Sequence, residues 1–328
     1  MKLSSTAEDA EEIHHRANAA TLESNRTTAT NLIRQPEKHM PLFRKTRIIA
    51  IIAGLAALSA CGTTYQVTEL SETHQAEAKA MFAQERNPQT TTTGRRLSPK
   101  QAINQFNRVV RRVEPVAENF CRQNSQDRKA FDCHVLIRVD TKAEERNAFQ
   151  TYNKEGQPLV VFTLPMIADA RNEDELAFVM GHEVGHHLAQ HIEKQQHQAV
   201  AGAIILGALA AAGSSPYVDP SINQANIENA VSLGMKVGNK AFSQTYELES
   251  DVIGTYIAKT AGYDPVRGAK FFARPENLKS ADGQLSFWGT HPPDEKRIAV
   301  VLATVDKMES TGSKTLERVE RKKPTSPD

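Results

Sequence analysis

The stretch Asn172-Glu173-Asp174-Glu175-Leu176-Ala177-Phe178-Val179-Met180-Gly181-His182-Glu183-Val184-Gly185-His186-His187 decides how the rest of the chain is read. Asn172 followed by Glu175 has the form of a capping box, which predicts a helix starting there. On that helix His182 and His186 stand at i and i+4, so both imidazoles leave one face and can reach a single tetrahedral zinc at about 2.0–2.1 Å. Glu183 is badly placed as a third ligand but well placed to take a proton from water on the metal. Zinc lowers the pKa of such a water to about 7, within reach of a carboxylate base. His187 and His191 form a second i, i+4 pair turned away from the first. With His197, they read as surface histidines or as supports behind the ligands.

A catalytic zinc takes three protein ligands and keeps one position open, which calls for a second helix carrying His or Glu. Segment 243–262 supplies it: a helix ended by glycine and containing Glu247-Leu248-Glu249-Ser250-Asp251. Glu247 and Asp251 share a face, so Glu247 can bind the metal while Asp251 accepts the outer N–H of a ligand histidine. Around these helices, Ser98-Pro99 opens another, with Ala102, Phe106, Val109, Val110, Val113 and Val116 on its apolar face. Segments 133–139, 149–152 and 159–163 read as strands, with a turn at 153–156, and predict a small antiparallel sheet.

Three segments taken in order carry a resemblance: Met180-Gly181-His182-Glu183-Val184-Gly185-His186, Tyr246-Glu247-Leu248-Glu249-Ser250-Asp251, and His291-Pro292-Pro293-Asp294-Glu295-Lys296-Arg297. They resemble the motifs of the HtpX-like zinc metallopeptidases, peptidase family M48, across residues 97–308, and the periplasmic lipoprotein branch is the most similar. The resemblance implies an α+β, mainly helical, zincin-like (gluzincin) fold, one zinc per chain, Glu247 as third ligand and Asp251 as its helix partner. It also implies a metalloendopeptidase that cleaves misfolded or misassembled envelope proteins. Ser250 stands where the family usually has alanine. The family pattern brings His291 and Arg297 close to the metal; there they stabilise the oxyanion, or His291 fills the fourth position in a latent state. Asn147-Ala148-Phe149 matches the family's strand along the cleft, an exposed edge on which an unfolded substrate adds a strand. An ordinary sheet strand is the plainer alternative.

Compartment is legible further upstream. Met40 is followed by Arg44, Lys45 and Arg47 and an apolar run over 48–60, too short for the roughly twenty residues that cross about 30 Å of hydrocarbon. A secretory signal over 40–60 fits better. Leu58-Ser59-Ala60-Cys61-Gly62 resembles the bacterial lipobox, which implies lipidation of Cys61, export to the periplasm and, with no Asp after the cysteine, sorting to the outer membrane. Polar residues 1–39 would precede that signal, so translation is expected to begin at Met40; a cytoplasmic extension before an uncleaved anchor is the alternative. Residues 61–96 are expected as tether and linker, with a polar helix-like segment around 72–84, and 309–328 as a disordered tail.

The remaining composition excludes more than it assigns. Formal net charge is +1, with 40 Lys and Arg against 39 Asp and Glu, so no electrostatic footprint favours nucleic acid. Of three cysteines, Cys121 and Cys133 either pair in an oxidising compartment or are two buried thiols. The apolar run 200–213 reads as buried helix or flexible Gly-Ala stretch, or else as a mobile lid or membrane-contacting flap. The expected partners are unfolded envelope proteins, a membrane reached through the lipid, and the outer-membrane assembly machinery. An active endopeptidase leads; a chaperone-like zinc lipoprotein with little proteolysis is the alternative. A purely structural zinc site has no need of Glu183.

Overall fold

Two helices buried on all sides form the centre of the protein. The computed structural model describes residues 62–87, 97–214, 217–238, 242–274 and 286–320. Cys61, the signal 40–60, the extension 1–39, the linker 88–96 and the end of the tail, 321–328, lie outside the described residues. In chain order the elements are α1 Glu72–Arg86, α2 Pro99–Asn124, β1 Leu136–Asp140, β2 Ala148–Tyr152, β3 Pro158–Thr163, α3 Leu164–Asp169, α4 Glu173–Leu188, α5 His191–Gly213, α6 Pro220–Gly238, α7 Gln244–Thr260, α8 Pro265–Ala269, α9 Phe287–Thr290 and α10 Glu295–Thr311.

The central pair is α4 and α7. In α4 every residue from Asp174 to Leu188 is buried, and in α7 every residue from Tyr246 to Ala258. Asn172 caps α4 by accepting the Glu175 N–H at 3.1 Å. The reciprocal half of the expected capping box does not form: the Glu175 carboxylate accepts the Arg171 N–H at 2.7 Å and pairs with buried Arg274 at 2.5 Å. Glycines let the two backbones approach closely. A Cβ on Gly185 would lie 3.0 Å from the Ser250 Cα, and one on Gly254 would lie 2.9 Å from the His182 nitrogen. Contact at that distance brings ligands from both helices together.

The sheet corrects an expectation. Its order is β1-β3-β2, with β3 antiparallel to β2 and parallel to β1, so it is mixed and not antiparallel throughout. The turn after Asn153, with Gly156 at φ +80, folds β2 onto β3 as a hairpin. β1 must then join the other edge of β3, in the direction its long connection allows; alternation of apolar residues carries no such information. Pairing in β1 begins at Leu136 and not at Cys133, which lies before the strand bonded to Cys121 of α2, with Cα atoms 5.6 Å apart. Buried Ala102, Phe106, Val109 and Val113 seat α2 on this core, as its periodicity predicts.

The helix-like segment expected around 72–84 forms α1, Glu72–Arg86, and the chain on either side of the core is ordered beyond it. Within the expected tether, Tyr65 is 1% exposed, and α1 packs against α10, with Ala78 fully buried. Within the expected disordered tail, Arg318 bridges to Tyr65, the Gln66 N–H donates to the Glu317 carbonyl at 2.8 Å and the Val319 N–H to the Thr64 carbonyl at 3.1 Å. One buried aromatic and a few backbone pairs suffice to order polar chain.

α5 and α6 pack along each other as a hairpin. The expected burial of 200–213 does not hold: Val200 is 53% and Ile204 66% exposed, and within that run only the small Ala203 and Gly207 are buried. Among the described residues α5 is the one helix long and apolar enough to cross a membrane by length and composition.

Candidate metal centre

α4 carries His182, Glu183 and His186; α7 carries Glu247 and Asp251. His291 follows α9, and Arg297 lies in the first turns of α10. All seven side chains are buried. His182, His186, Glu247 and His291 each turn one donor atom to a common point, with those atoms within 4.8 Å of one another. The His182 Nε2 lies 3.0 Å from His186 Nε2, 3.3 Å from His291 Nδ1 and 3.5 Å from Glu247 Oε2. Glu247 Oε1 is 3.6 Å from His186 Nε2, and Oε2 is 3.1 Å from His291 Nδ1.

This donor set fits a small divalent cation. Bonds of about 2.0–2.1 Å arranged tetrahedrally put neighbouring donors about 3.3 Å apart, which is the spacing found here. The outer nitrogens are held as such a site requires. His182 Nδ1 donates to Asp251 Oδ1 at 2.9 Å, leaving Nε2 to face the common point. His186 Nδ1 meets His191 Nδ1 at 2.9 Å, again turning Nε2 inward.

Charge is arranged to match. Burial by itself would lower the pKa of His182, but hydrogen bonds to Asp251 and Glu247 carry it up to about 9. Burial holds His186 well below the usual histidine range. Burial would raise the Glu247 carboxyl, yet the neighbouring charges of His291 and Arg297 keep it well below the usual carboxylate range.

Glu183 stands at the rim of this group. Burial pushes its pKa up, which makes it a stronger base. Its Oε2 accepts the Gln150 backbone N–H at 3.0 Å, while Oε1 lies 3.4 Å from His291 Nε2 and accepts no hydrogen bond among the described residues. Arg297 lies behind the ligands: its Nη1 is 3.1 Å from Glu247 Oε2, and its guanidinium sits 3.6 Å over the Phe272 ring while pairing with Asp251.

β2 borders the site. The Asn147 carbonyl accepts from Thr163 and the Asn153 N–H donates to Gln157, so alternate residues 147, 149, 151 and 153 bond to β3. Ala148, Gln150 and Tyr152 therefore turn their backbone groups to the open edge, where Gln150 meets Glu183. Phe149 is 37% exposed, and Ala148 is buried.

His187 and His191 are not on the surface. The His187 Nε2–H donates to the Asp132 carbonyl at 2.6 Å and the ring stacks on Phe131, and His191 is fully buried against His186; His197 is exposed. Sequence reasoning missed Gln150, Glu249 and Phe242, whose ring stacks 4.2 Å from that of His186. Gln150 acts here through its backbone, and Glu249 is i+2 from Glu247, a spacing that signals opposite faces; neither leaves a pattern to find.

A buried metal-donor group at the contact of two buried helices, with a carboxylate next to it, is the arrangement expected of a metallopeptidase. The model of peptidase family M48 matches residues 104–305. The chain belongs to that family. Among its relatives, the mitochondrial metalloendopeptidase OMA1 of Arabidopsis thaliana is 30% identical over 151 residues, 46% of this chain and 28% of that one. Metalloprotease LoiP of Escherichia coli is 28% identical over 148 residues, 45% of this chain and 55% of the relative. The β-barrel assembly-enhancing protease of Escherichia coli is 29% identical over 162 residues, 48% and 31% of the two chains. The matches span between 28% and 55% of these relatives' own lengths.

Proposed function

We propose that this chain is a zinc-dependent endopeptidase of the bacterial cell envelope that cleaves unfolded or misassembled envelope proteins. The observation that carries the reading is the position of Glu183: a buried, elevated carboxylate whose free oxygen adjoins a four-residue donor group and whose other oxygen is tied to the open edge of β2.

His182, His186 and Glu247 would hold the metal, and nitrogen and carboxylate donors at these spacings suit zinc. When bound, zinc acidifies a water and polarises a substrate carbonyl. The work of the chain's own residues follows from geometry. Glu183 accepts the proton of the attacking water and passes it to the departing amine. Of residues 147–149, Ala148 turns its backbone donor and acceptor to the open edge, which continues to Tyr152 and offers an extended peptide affinity with little sequence preference. Asp251 holds His182 in orientation, and Arg297 balances the charge of Asp251 and Glu247. His291, within reach of Glu247 and Glu183, closes the fourth position in a resting state.

Envelope location is supported by the signal-like 40–60 and the lipobox-like sequence ending at Cys61, which would carry the lipid. One relative's name ties it to β-barrel assembly, which favours outer-membrane proteins and their assembly machinery as substrate and partner. Zinc analysis paired with casein cleavage, with and without chelator, tests the reading. Glu183→Gln is expected to keep the metal and lose about 10²–10⁴ in rate. Cleavage by that variant at the wild-type rate refutes the mechanism, and a zinc-loaded wild type that never cleaves shifts the function to chaperone-like binding.

A further inference from the structure

Glu249 joins the N-terminal segment of the described chain to the metal group. Its Oε2 accepts from His191 Nε2 at 2.9 Å, and its Oε1 accepts the backbone N–H groups of Thr64 at 2.7 Å and Tyr65 at 2.6 Å. A carboxylate can only accept, so His191 donates through Nε2 and offers Nδ1 to His186 at 2.9 Å. The Ser250 hydroxyl lies 3.3 Å from that same nitrogen. His186, His191, Glu249 and Ser250 are all fully buried.

The strap over 62–66 is itself held firmly. Tyr65 is buried, its hydroxyl donates to the Asn124 carbonyl at 2.8 Å and accepts from Arg128 at 3.0 Å. Lys194 donates to the Thr64 hydroxyl at 2.8 Å, and the strands of chain at Gln66 and Val319 close the segment from the other side. The ligands His182, His186 and Glu247 themselves belong to α4 and α7. Without the strap, however, Glu249 Oε1 would be a buried carboxylate oxygen without its two donors, a costly state that the side chain would leave by rotating away from His191.

From this geometry we infer that the strap is a working part of the metal site: the Thr64 and Tyr65 N–H groups fix Glu249, Glu249 fixes His191, and His191 turns the Nε2 of His186 toward the metal. His191 and Glu249 are positioning residues, and the inference rests on the reading in which His186 is a ligand. It makes metal affinity depend on backbone groups about 120 residues away in sequence from the histidine they orient, a coupling carried by charge-assisted hydrogen bonds.

The test uses the full chain, zinc affinity by chelator competition, and the visible spectrum of the cobalt(II)-substituted protein, which reports ligand geometry independently of activity. Glu249→Gln, which keeps shape but sets an amide against the strap donors, is expected to weaken zinc binding about 10–100-fold and shift the cobalt bands. Thr64→Pro removes one donor and is expected to weaken binding and shift the bands in the same direction, by less. Thr64→Val keeps the N–H, loses only the hydroxyl, and is expected to match wild type. Thermal melting confirms that each variant is folded; should Thr64→Pro not fold, Glu249→Gln against Thr64→Val decides. Wild-type affinity and spectrum in Glu249→Gln, or a Thr64→Val effect equal to that of Thr64→Pro, overturns the inference. Failure of the wild type to bind either metal would instead overturn the metallopeptidase reading beneath it.

Discussion

Asp251 and Arg297, both enclosed in the core, meet through two parallel hydrogen bonds, Nε to Oδ2 and Nη2 to Oδ1, each 2.8 Å. Asp251 Oδ1 also accepts from His182 Nδ1 at 2.9 Å. One carboxylate thus fastens α10 to α7 and orients a metal-facing histidine. Asp251→Ala leaves the Arg297 charge buried with Glu247 as its one carboxylate partner among the described residues. The expected cost is about 3–5 kcal/mol in urea unfolding of the metal-free protein, with zinc affinity lowered about 10–100-fold. Wild-type values for both would show that the pair is dispensable.

The contact of α4 with α7 depends on glycine. A Cβ at Gly185 would meet the Ser250 Cα at 3.0 Å and its carbonyl oxygen at 3.1 Å, both backbone atoms that cannot swing aside. Gly185→Ala is expected to destabilise by about 1–3 kcal/mol through overpacking. At Gly213 nothing lies within 4 Å of a built Cβ, so Gly213→Ala is expected to be neutral or to stabilise by up to about 1 kcal/mol. Paired urea titrations check the contrast, and equal effects at the two sites would contradict the close crossing.

Cys121 and Cys133 are bonded, and their sequence separation is 12. A loop of that size is expected to contribute about 3 kcal/mol or slightly less. Thiol titration of the unfolded protein should find two additional thiols after reduction, and a Cys121→Ser/Cys133→Ser variant should melt at lower temperature. An unchanged thiol count on reduction would place both cysteines in the reduced state.

His291 presents Nδ1 to the donor group, 3.3 Å from His182 Nε2, and Nε2 to Glu183 Oε1 at 3.4 Å. As a fourth donor it would compete with water for the metal. His291→Ala is expected to retain zinc at reduced affinity and to cleave casein faster than wild type. A slower rate would assign His291 to oxyanion stabilisation, and an unchanged rate would remove it from the reaction.

The four-residue interval between His182 and His186, the neighbouring Glu183, and the Glu247–Asp251 pair were determined by the sequence alone, because helical periodicity is a local property. So were the capped start of α4 and the buried face of α2, each set by a cap or by apolar spacing within one element. Tertiary structure decided whatever depends on how separate elements meet. The direction of β1 relative to β3 follows from its connection, not its alternation. The exposed face of α5 carries Val200 and Ile204 outward, though composition reads as buried. Tyr65 orders a polar segment by docking into a core formed mostly by residues far along the chain. Glu249 reaches the metal group only through His191, and Gln150 reaches Glu183 only through its backbone. Periodicity says which face of a helix is buried; what it is buried against is settled by packing over distances the local sequence does not encode.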